Sequence, residues 1–261
     1  MKKETISILG CGWYGLALAK ALISAGHTVK GSTTNVAKLL HLEKVGVEPY
    51  LVNLANIDDH INDSFFKCDV LIVCIPPRKR EGDIRTYIDQ IKLITTLAAN
   101  QVLFISSTGI YQDGNFIVDE NTIPAPTSEV GQSLLAAETL LMESNSFTAT
   151  VIRFGGLIGP ERNLARHFAG KSDIANGLAP INLIHLDDCI GLTKTILKKK
   201  AFGLIYHGVA PSHPTRAEFY TRACVEAGLE KPEFVPELRE WKQINSVLVP
   251  RVLKYEWKVL F

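Results

Sequence analysis

Ile8-Leu9-Gly10-Cys11-Gly12-Trp13-Tyr14-Gly15 decides the reading of this chain. Ahead of it, Glu4-Thr5-Ile6-Ser7-Ile8 reads as a short strand. Behind it, Leu16, Ala19, Leu22 and Ile23 recur at helical spacing until Gly26 closes the pattern. A Gly-x-Gly-x-x-Gly between a strand and a helix is the arrangement a dinucleotide fingerprint needs. Gly10 would allow the tight turn, Gly12 would leave room for the pyrophosphate, and Gly15 would let the helix pack on the strand. The helix N-terminus would offer free N–H groups and a positive dipole end to phosphates. A Gly-rich turn without a ligand is the competing reading, and the flanking elements favour the nucleotide.

Working outward, the 261 residues, 46% hydrophobic and 21% charged, suffice for one large α/β domain or one domain with a small appendage. A net charge of +1 supplies no field toward nucleic acid or an anionic membrane, so neither is expected as a partner. Cys11, Cys68, Cys74, Cys189 and Cys224 are scattered, odd in number and without a Cys-x-x-Cys. They read as free thiols in a reducing cytosol, and no metal site is expected. Met1-Lys2-Lys3-Glu4 leads straight into the first strand, so no signal peptide is expected. The longest apolar run, Val70 to Ile75, is far too short to span a bilayer.

A second strand is expected at His27–Ser32. NAD-binding folds place an acid at the end of this strand to grip the ribose 2′-hydroxyl. Here the end reads Ser32-Thr33-Thr34-Asn35, with Lys38 close behind. Hydroxyls and a lysine suit a 2′-phosphate, which a carboxylate would repel, so NADP is favoured over NAD. The same residues could also simply turn the chain and cap a helix over Val36–Val45. Val47–Val52 is a third strand, placed at an edge by Pro49. Asp69–Ile75 is a continuous apolar run, as a strand buried on both faces should be. It ends in Pro76-Pro77-Arg78-Lys79-Arg80, at the end of the sheet that faces a ligand crevice. The basic triplet could meet an anion there, or form a solvated loop.

A helix over about Asp83–Ala99 follows, then a fifth strand at Val102–Ile105 that ends in Ser106-Ser107-Thr108-Gly109-Ile110-Tyr111. A long segment leads to Pro124-Ala125-Pro126. A helix from about Ser128 to Ser144 carries the apolar stripe Val130, Leu134, Ala137 and Leu141, and Thr148–Arg153 makes a sixth strand. Alternating strands and helices of this kind specify a doubly wound parallel sheet.

Several stretches together resemble the extended short-chain dehydrogenase/reductase superfamily, of the NAD-dependent epimerase/dehydratase type. Ile105 to Tyr111 resembles its strand-five motif, Arg153-Phe154-Gly155-Gly156-Leu157-Ile158-Gly159-Pro160 its Arg-x-Gly-x-x-Tyr-Gly-Pro signature with Ile158 for the Tyr, and Asn182-Leu183-Ile184-His185-Leu186-Asp187-Asp188 its later His-Val-Asp-Asp element. Gly203 to Gly208 resembles the strand that follows. The resemblance implies a Rossmann domain over 1–160 and a small C-terminal substrate-side lobe over 161–261, with about 182–208 returning to the core. It implies that Ser107 polarises a substrate oxygen, that Arg162 and the stretch to Gly170 cover the crevice, and that cofactor contacts come from Gly10, Gly12, Trp13, Tyr14, Gly15, Ser32, Thr33, Thr34, Pro76 and Ser106. Trp241, Tyr255, Trp257 and Phe261 read as core of the C-terminal piece.

Two departures stand out. The fingerprint is GxGxxG where the superfamily usually has GxxGxxG. The catalytic Tyr-x-x-x-Lys is also missing: with Glu138 holding the register, Val130 stands at the Tyr position and Leu134 at the Lys position. Val and Leu cannot exchange a proton or lower a phenol's pKa. Tyr111, Tyr14 and His185 are the substitutes within plausible reach, with Tyr111 first. The expected function is an NADP-linked (NAD possible) oxidoreductase-like protein acting on a carbonyl or sugar-nucleotide-like small molecule, as a monomer or homodimer. The alternative is a non-catalytic NADP(H)-binding sensor or interaction protein.

Overall fold

In chain order the elements are β1 (Thr5–Leu9), α1 (Trp13–Ser24), β2 (Thr28–Thr33), α2 (Leu39–Lys44), β3 (Glu48–Leu51), α3 (Asp63–Phe66), β4 (Val70–Val73), α4 (Asp83–Leu97) and β5 (Gln101–Ser107). They continue with β6 (Phe116–Val118), α5 (Glu129–Met142), β7 (Thr148–Phe154), β8 (Gly156–Ile158), β9 (Leu183–His185), α6 (Leu186–Lys199), β10 (Ile205–Gly208), α7 (Arg216–Glu226) and β11 (Lys242–Ile244). This computed structural model describes residues 3–55, 63–77, 83–97 and 100–261. Arg78-Lys79-Arg80 and the expected helix end at Ala98-Ala99 lie outside them.

Seven strands form one parallel sheet in the order β10-β7-β5-β4-β1-β2-β3. All four residues of β4 are buried, because helices cover both faces. Leu18 and Leu22 of α1 pack with Leu192 and Ile196 of α6 on one face. Ile91 and Ile94 of α4 pack with Ala137 and Leu141 of α5 on the other. The fold is therefore a doubly wound Rossmann sheet. Chain order runs outward from β1 to β3, then resumes on the other flank of β1 with β4. That reversal opens a crevice beyond the carboxyl ends of β1 and β4, where ligands of such sheets bind. β3 is the sheet edge that Pro49 requires.

Two short parallel ribbons lie outside the sheet. β6 pairs with β11 and β8 with β9. An aromatic cluster of Phe168, Tyr220 and Phe234 packs beside α7. No helix among the described residues is long and apolar enough to cross a membrane.

The structure corrects several local expectations. The single helix over Val36–Val45 is a 3-10 turn at Val36–Lys38 followed by α2, because the Asn35 carboxamide caps the Ala37 N–H at 2.9 Å and tightens the first turn. The loop before Pro124 holds a strand, β6, with a partner far along the chain. The stretch after Asn163, whose sequence suggests a helix as far as Gly170, forms only a 3-10 turn at Ala165–His167. Tyr255 and Trp257 pack against the α1/α6 side, and Phe261 joins Phe219, as core residues should.

Candidate functional site

The fingerprint turn sits at the sheet reversal. Gly10 has φ +98°, and a Cβ there would lie 3.1 Å from Ile75 Cγ2. A Cβ at Gly15 would lie 2.3 Å from the Gly10 carbonyl oxygen, so any larger residue would push the helix off the strand. Gly12 differs from both: a Cβ there would meet nothing within 4 Å, because it faces the open crevice. The turn is held from β2. The Gly10 N–H donates to Ser32 Oγ at 2.9 Å and the Cys11 N–H to the Ser32 carbonyl at 2.8 Å. α1 begins with no side-chain cap and no acid in its first turn. Its first amides and positive dipole end are thus available to an anion.

Two chambers meet at this turn. One, of about 520 Å³, lies toward β2 and is lined by Cys11, Ser32, Thr33, Thr34, Lys38 and Asn53. The other, of about 510 Å³, lies toward β5 and is lined by Trp13, Ser106, Ser107, Val130, Leu134 and Arg162. Gly10, Gly12 and Pro76 line both. A long ligand with a charged middle and a ring system at each end fits such a pair.

In the first chamber Ser32 Oγ accepts from Gly10 and keeps its own proton, and Thr33, Thr34 and Lys38 line the chamber beside it. Thr33 Oγ1 also accepts the Asn35 N–H at 3.1 Å, so this segment turns the chain and faces the crevice at once. Burial pushes the Cys11 thiol up to about 12, which keeps it protonated and unreactive.

In the second chamber, Trp13 Nε1 donates to the Pro160 carbonyl at 2.8 Å, and the Arg162 guanidinium lies 4.9 Å from its ring centre. Tyr14 lines the chamber, but its hydroxyl lies 2.6 Å from Thr193 Oγ1, and Thr193 in turn donates to the Cys189 carbonyl at 3.0 Å. Tyr14 must then be the donor to Thr193. Burial raises its phenol pKa far above the usual value. Ser107 Oγ accepts the Gly109 N–H at 3.1 Å and keeps its own proton. Ser106 Oγ is buried with no hydrogen-bond partner among the described residues, a state that costs about 1–3 kcal/mol until a ligand or water relieves it. Val130 and Leu134, one turn apart on α5, both line this chamber beside Ser107.

Tyr111 is not brought to either chamber, and the expectation that it serves as an acid is corrected. It is 3% exposed. Its hydroxyl is bonded to Arg153 Nη1 and lies 2.9 Å from His207 Nε2. Burial, partly offset by Arg153, pushes its pKa up to about 12. His185 is also elsewhere: its Nδ1 accepts the Asp187 N–H at 3.2 Å and caps α6.

Two groups around the site went unread in the sequence. The Glu138 carboxylate takes Arg153 through both Nε and Nη2, the latter at 2.6 Å, under the wall that carries Val130 and Leu134. Its only signal was the place of Glu138 in the superfamily register. Glu120 accepts the N–H groups of His207 at 3.2 Å and Val247 at 2.8 Å and the Ser246 hydroxyl at 3.0 Å, and no local pattern announces it.

Comparison with known proteins agrees with this architecture. The family model described as NADP oxidoreductase coenzyme F420-dependent matches residues 5–98, the half of the sheet that holds the fingerprint. The curated Protein YeeZ of Escherichia coli (strain K12) is 32% identical over 241 residues, covering 90% of this chain and 87% of that protein. Among solved structures, a functionally unknown conserved protein from Silicibacter pomeroyi DSS superposes with a TM-score of 0.79 at 20% identity, covering 98% of this chain and 94% of that one. The UDP-glucuronic acid 4-epimerase from Bacillus cereus, in complex with NAD, superposes with a TM-score of 0.79 at 17% identity, with the same coverage of 98% and 94%. The likeness to these solved structures is one of fold, the doubly wound sheet that the UDP-glucuronic acid 4-epimerase also has.

Proposed function

The chain belongs to the family of Protein YeeZ. From the geometry of its crevice we propose that it binds NADP(H) across the two chambers and exchanges a hydride with a small molecule held in the second. The observation that carries this reading is Gly12, open to the crevice at the uncapped start of α1 and shared by both chambers. Gly10, Gly12 and the first amides of α1 would hold the pyrophosphate. Thr33, Thr34 and Lys38 would take the 2′-phosphate, since no acid lines that chamber among the described residues. Trp13, Tyr14, Pro76 and Ser106 would flank the nicotinamide end, and Ser107 would donate to a substrate oxygen. The bound nicotinamide supplies a two-electron hydride carrier. Free thiols support a reducing, cytoplasmic setting.

Calorimetry with both dinucleotides tests the cofactor assignment. NADP is expected to bind more tightly than NAD. Thr33→Asp keeps an acceptor for the Asn35 N–H but sets a negative charge against the 2′-phosphate. It is expected to shift preference toward NAD by about tenfold or more, the scale of one charge-assisted contact. A wild-type preference for NAD would overturn the assignment.

Val130 and Leu134 favour a second reading, a protein that senses NADP(H) without turnover. Installing the ordinary pair, Val130→Tyr with Leu134→Lys, separates the two. If the chamber admits a reducible carbonyl, turnover should rise by about a hundredfold, the usual contribution of a positioned acid. No turnover in either form, with tight NADP binding in both, supports the sensor.

A further inference from the structure

We propose that the second chamber takes a quinone: a planar, conjugated ring compound with ring carbonyl oxygens, in place of a sugar nucleotide or an isolated carbonyl. This rests on the NADP(H) reading above and names the substrate class of the same chamber.

The walls argue first. Trp13, Ile105, Val130, Leu134 and Leu157 present mainly apolar surface. The hydroxyls free to meet a ligand are few. Ser106 Oγ has no partner among the described residues, and Ser107 has a hydroxyl proton to give. Such hydroxyls suit neutral carbonyl oxygens. Arg162 is the one cationic side chain among the described lining residues, and it lies over the Trp13 ring. A sugar nucleotide would bring a diphosphate and several ring hydroxyls to walls that offer one guanidinium and three serine hydroxyls among the described lining residues, too few to pair them all. A flat ring system would instead meet an indole and a floor of Val130 and Leu134.

Proton supply argues second. Hydride addition to an isolated ketone or aldehyde creates an alkoxide, which must gain a proton as it forms. The serine hydroxyls can donate a hydrogen bond but are too weakly acidic to give up the proton, and the other described lining groups do not supply one. The Tyr14 proton is given to Thr193, burial pushes the Cys74 thiol far above its usual range, and Arg162 does not act as an acid. A quinone removes the need. The dihydronicotinamide would break its C4–H bond and give the hydride with its electron pair to one carbonyl oxygen of the quinone; that C=O π bond opens into the ring, which becomes aromatic, and the negative charge comes to the opposite ring oxygen. That product is a phenolate-type anion, with a basicity near that of tyrosinate, about 10 on the pKa scale, and water protonates it. The exchange balances as NADPH + quinone + H⁺ → NADP⁺ + hydroquinone. The pair Val130 and Leu134 then forms the ring's seat, with no lost acid to replace.

The test is a binding measurement on NADP⁺-loaded protein, in which no turnover occurs. Duroquinone is the probe, because its fully methylated ring blocks addition of the cysteine thiols; UDP-glucose and hexanal are the comparators. Duroquinone is expected to bind and the comparators not to. Val130 is half-buried, so Val130→Asp should fold, and it is expected to weaken duroquinone by about tenfold or more while Val130→Ile retains it. NADP⁺ affinity of each variant reports that the nucleotide site is intact. With NADPH, absorbance at 340 nm should fall with duroquinone and not with hexanal. If wild-type protein does not bind NADP⁺, the cofactor reading fails and the exchange with it. If NADP⁺ binds but duroquinone does not, or duroquinone ignores Val130→Asp, the quinone assignment alone is overturned.

Discussion

Gly12→Val is expected to abolish NADP binding in a protein that remains folded. Gly12 has φ −80° and ψ −157°, extended backbone that a branched residue adopts. The added side chain meets no protein atom within 4 Å at its Cβ and projects into the crevice where both chambers meet. The fold should lose about 1 kcal/mol or less, as an unfavourable cap residue replaces a tolerated one. The ligand loses the approach of its pyrophosphate to the α1 amides. Two charge-assisted hydrogen bonds represent a factor of about a hundred or more in affinity. Gly15→Ala provides the contrast. Its Cβ at 2.3 Å from the Gly10 carbonyl oxygen should destabilise the protein by about 1–3 kcal/mol through overpacking. Calorimetry and thermal melts of the two variants check both statements. A folded Gly12→Val protein with unchanged NADP affinity would place the nucleotide elsewhere.

Glu138→Leu is expected to cost more stability than any change at the crevice, about 3–5 kcal/mol. Glu138 and Arg153 side chains are 3% and 4% exposed, and the carboxylate is the one anion on that guanidinium among the described residues. Removing it leaves a buried cation held, among the described residues, by the Tyr111 hydroxyl and ring. Replacing both members, Glu138→Leu with Arg153→Met, should recover most of the loss, because the dominant cost of the single change is the stranded charge. Urea unfolding of the three proteins is the measurement. A single variant within about 1 kcal/mol of wild type would mean that water reaches the pair.

The parts of this fold that were legible are those fixed by local chemistry. The fingerprint could be read because Gly10 and Gly15 answer contacts within a few residues or across one strand, and Gly12 leaves the space between them open. β4 could be read because burial on both faces demands an unbroken apolar run. β6 could not: Phe116-Ile117-Val118 is too short to show a period, and it exists through pairing with β11. Tyr111 was misassigned for a related reason. A motif places a residue after a strand, but the direction its side chain takes was set by Arg153 and His207, 42 and 96 positions away. Val130 and Leu134 were legible in register, because helix spacing carries a face with it.

The clamp around Glu120 has a consequence for how the protein is made. Residues through β5 contain the fingerprint turn and most of the sheet, and they leave the ribosome early. The segment after β5 is tied down much later, when Lys242 reaches the Tyr111 carbonyl at 2.7 Å, β11 pairs with β6, and Val247 donates to Glu120 across 127 positions. At translation speeds of about 5–20 residues per second, that delay is on the order of ten seconds. On that schedule the fingerprint turn, whose Gly10 amide is held by Ser32 only 22 positions on, can form well before the segment around Glu120 is fixed.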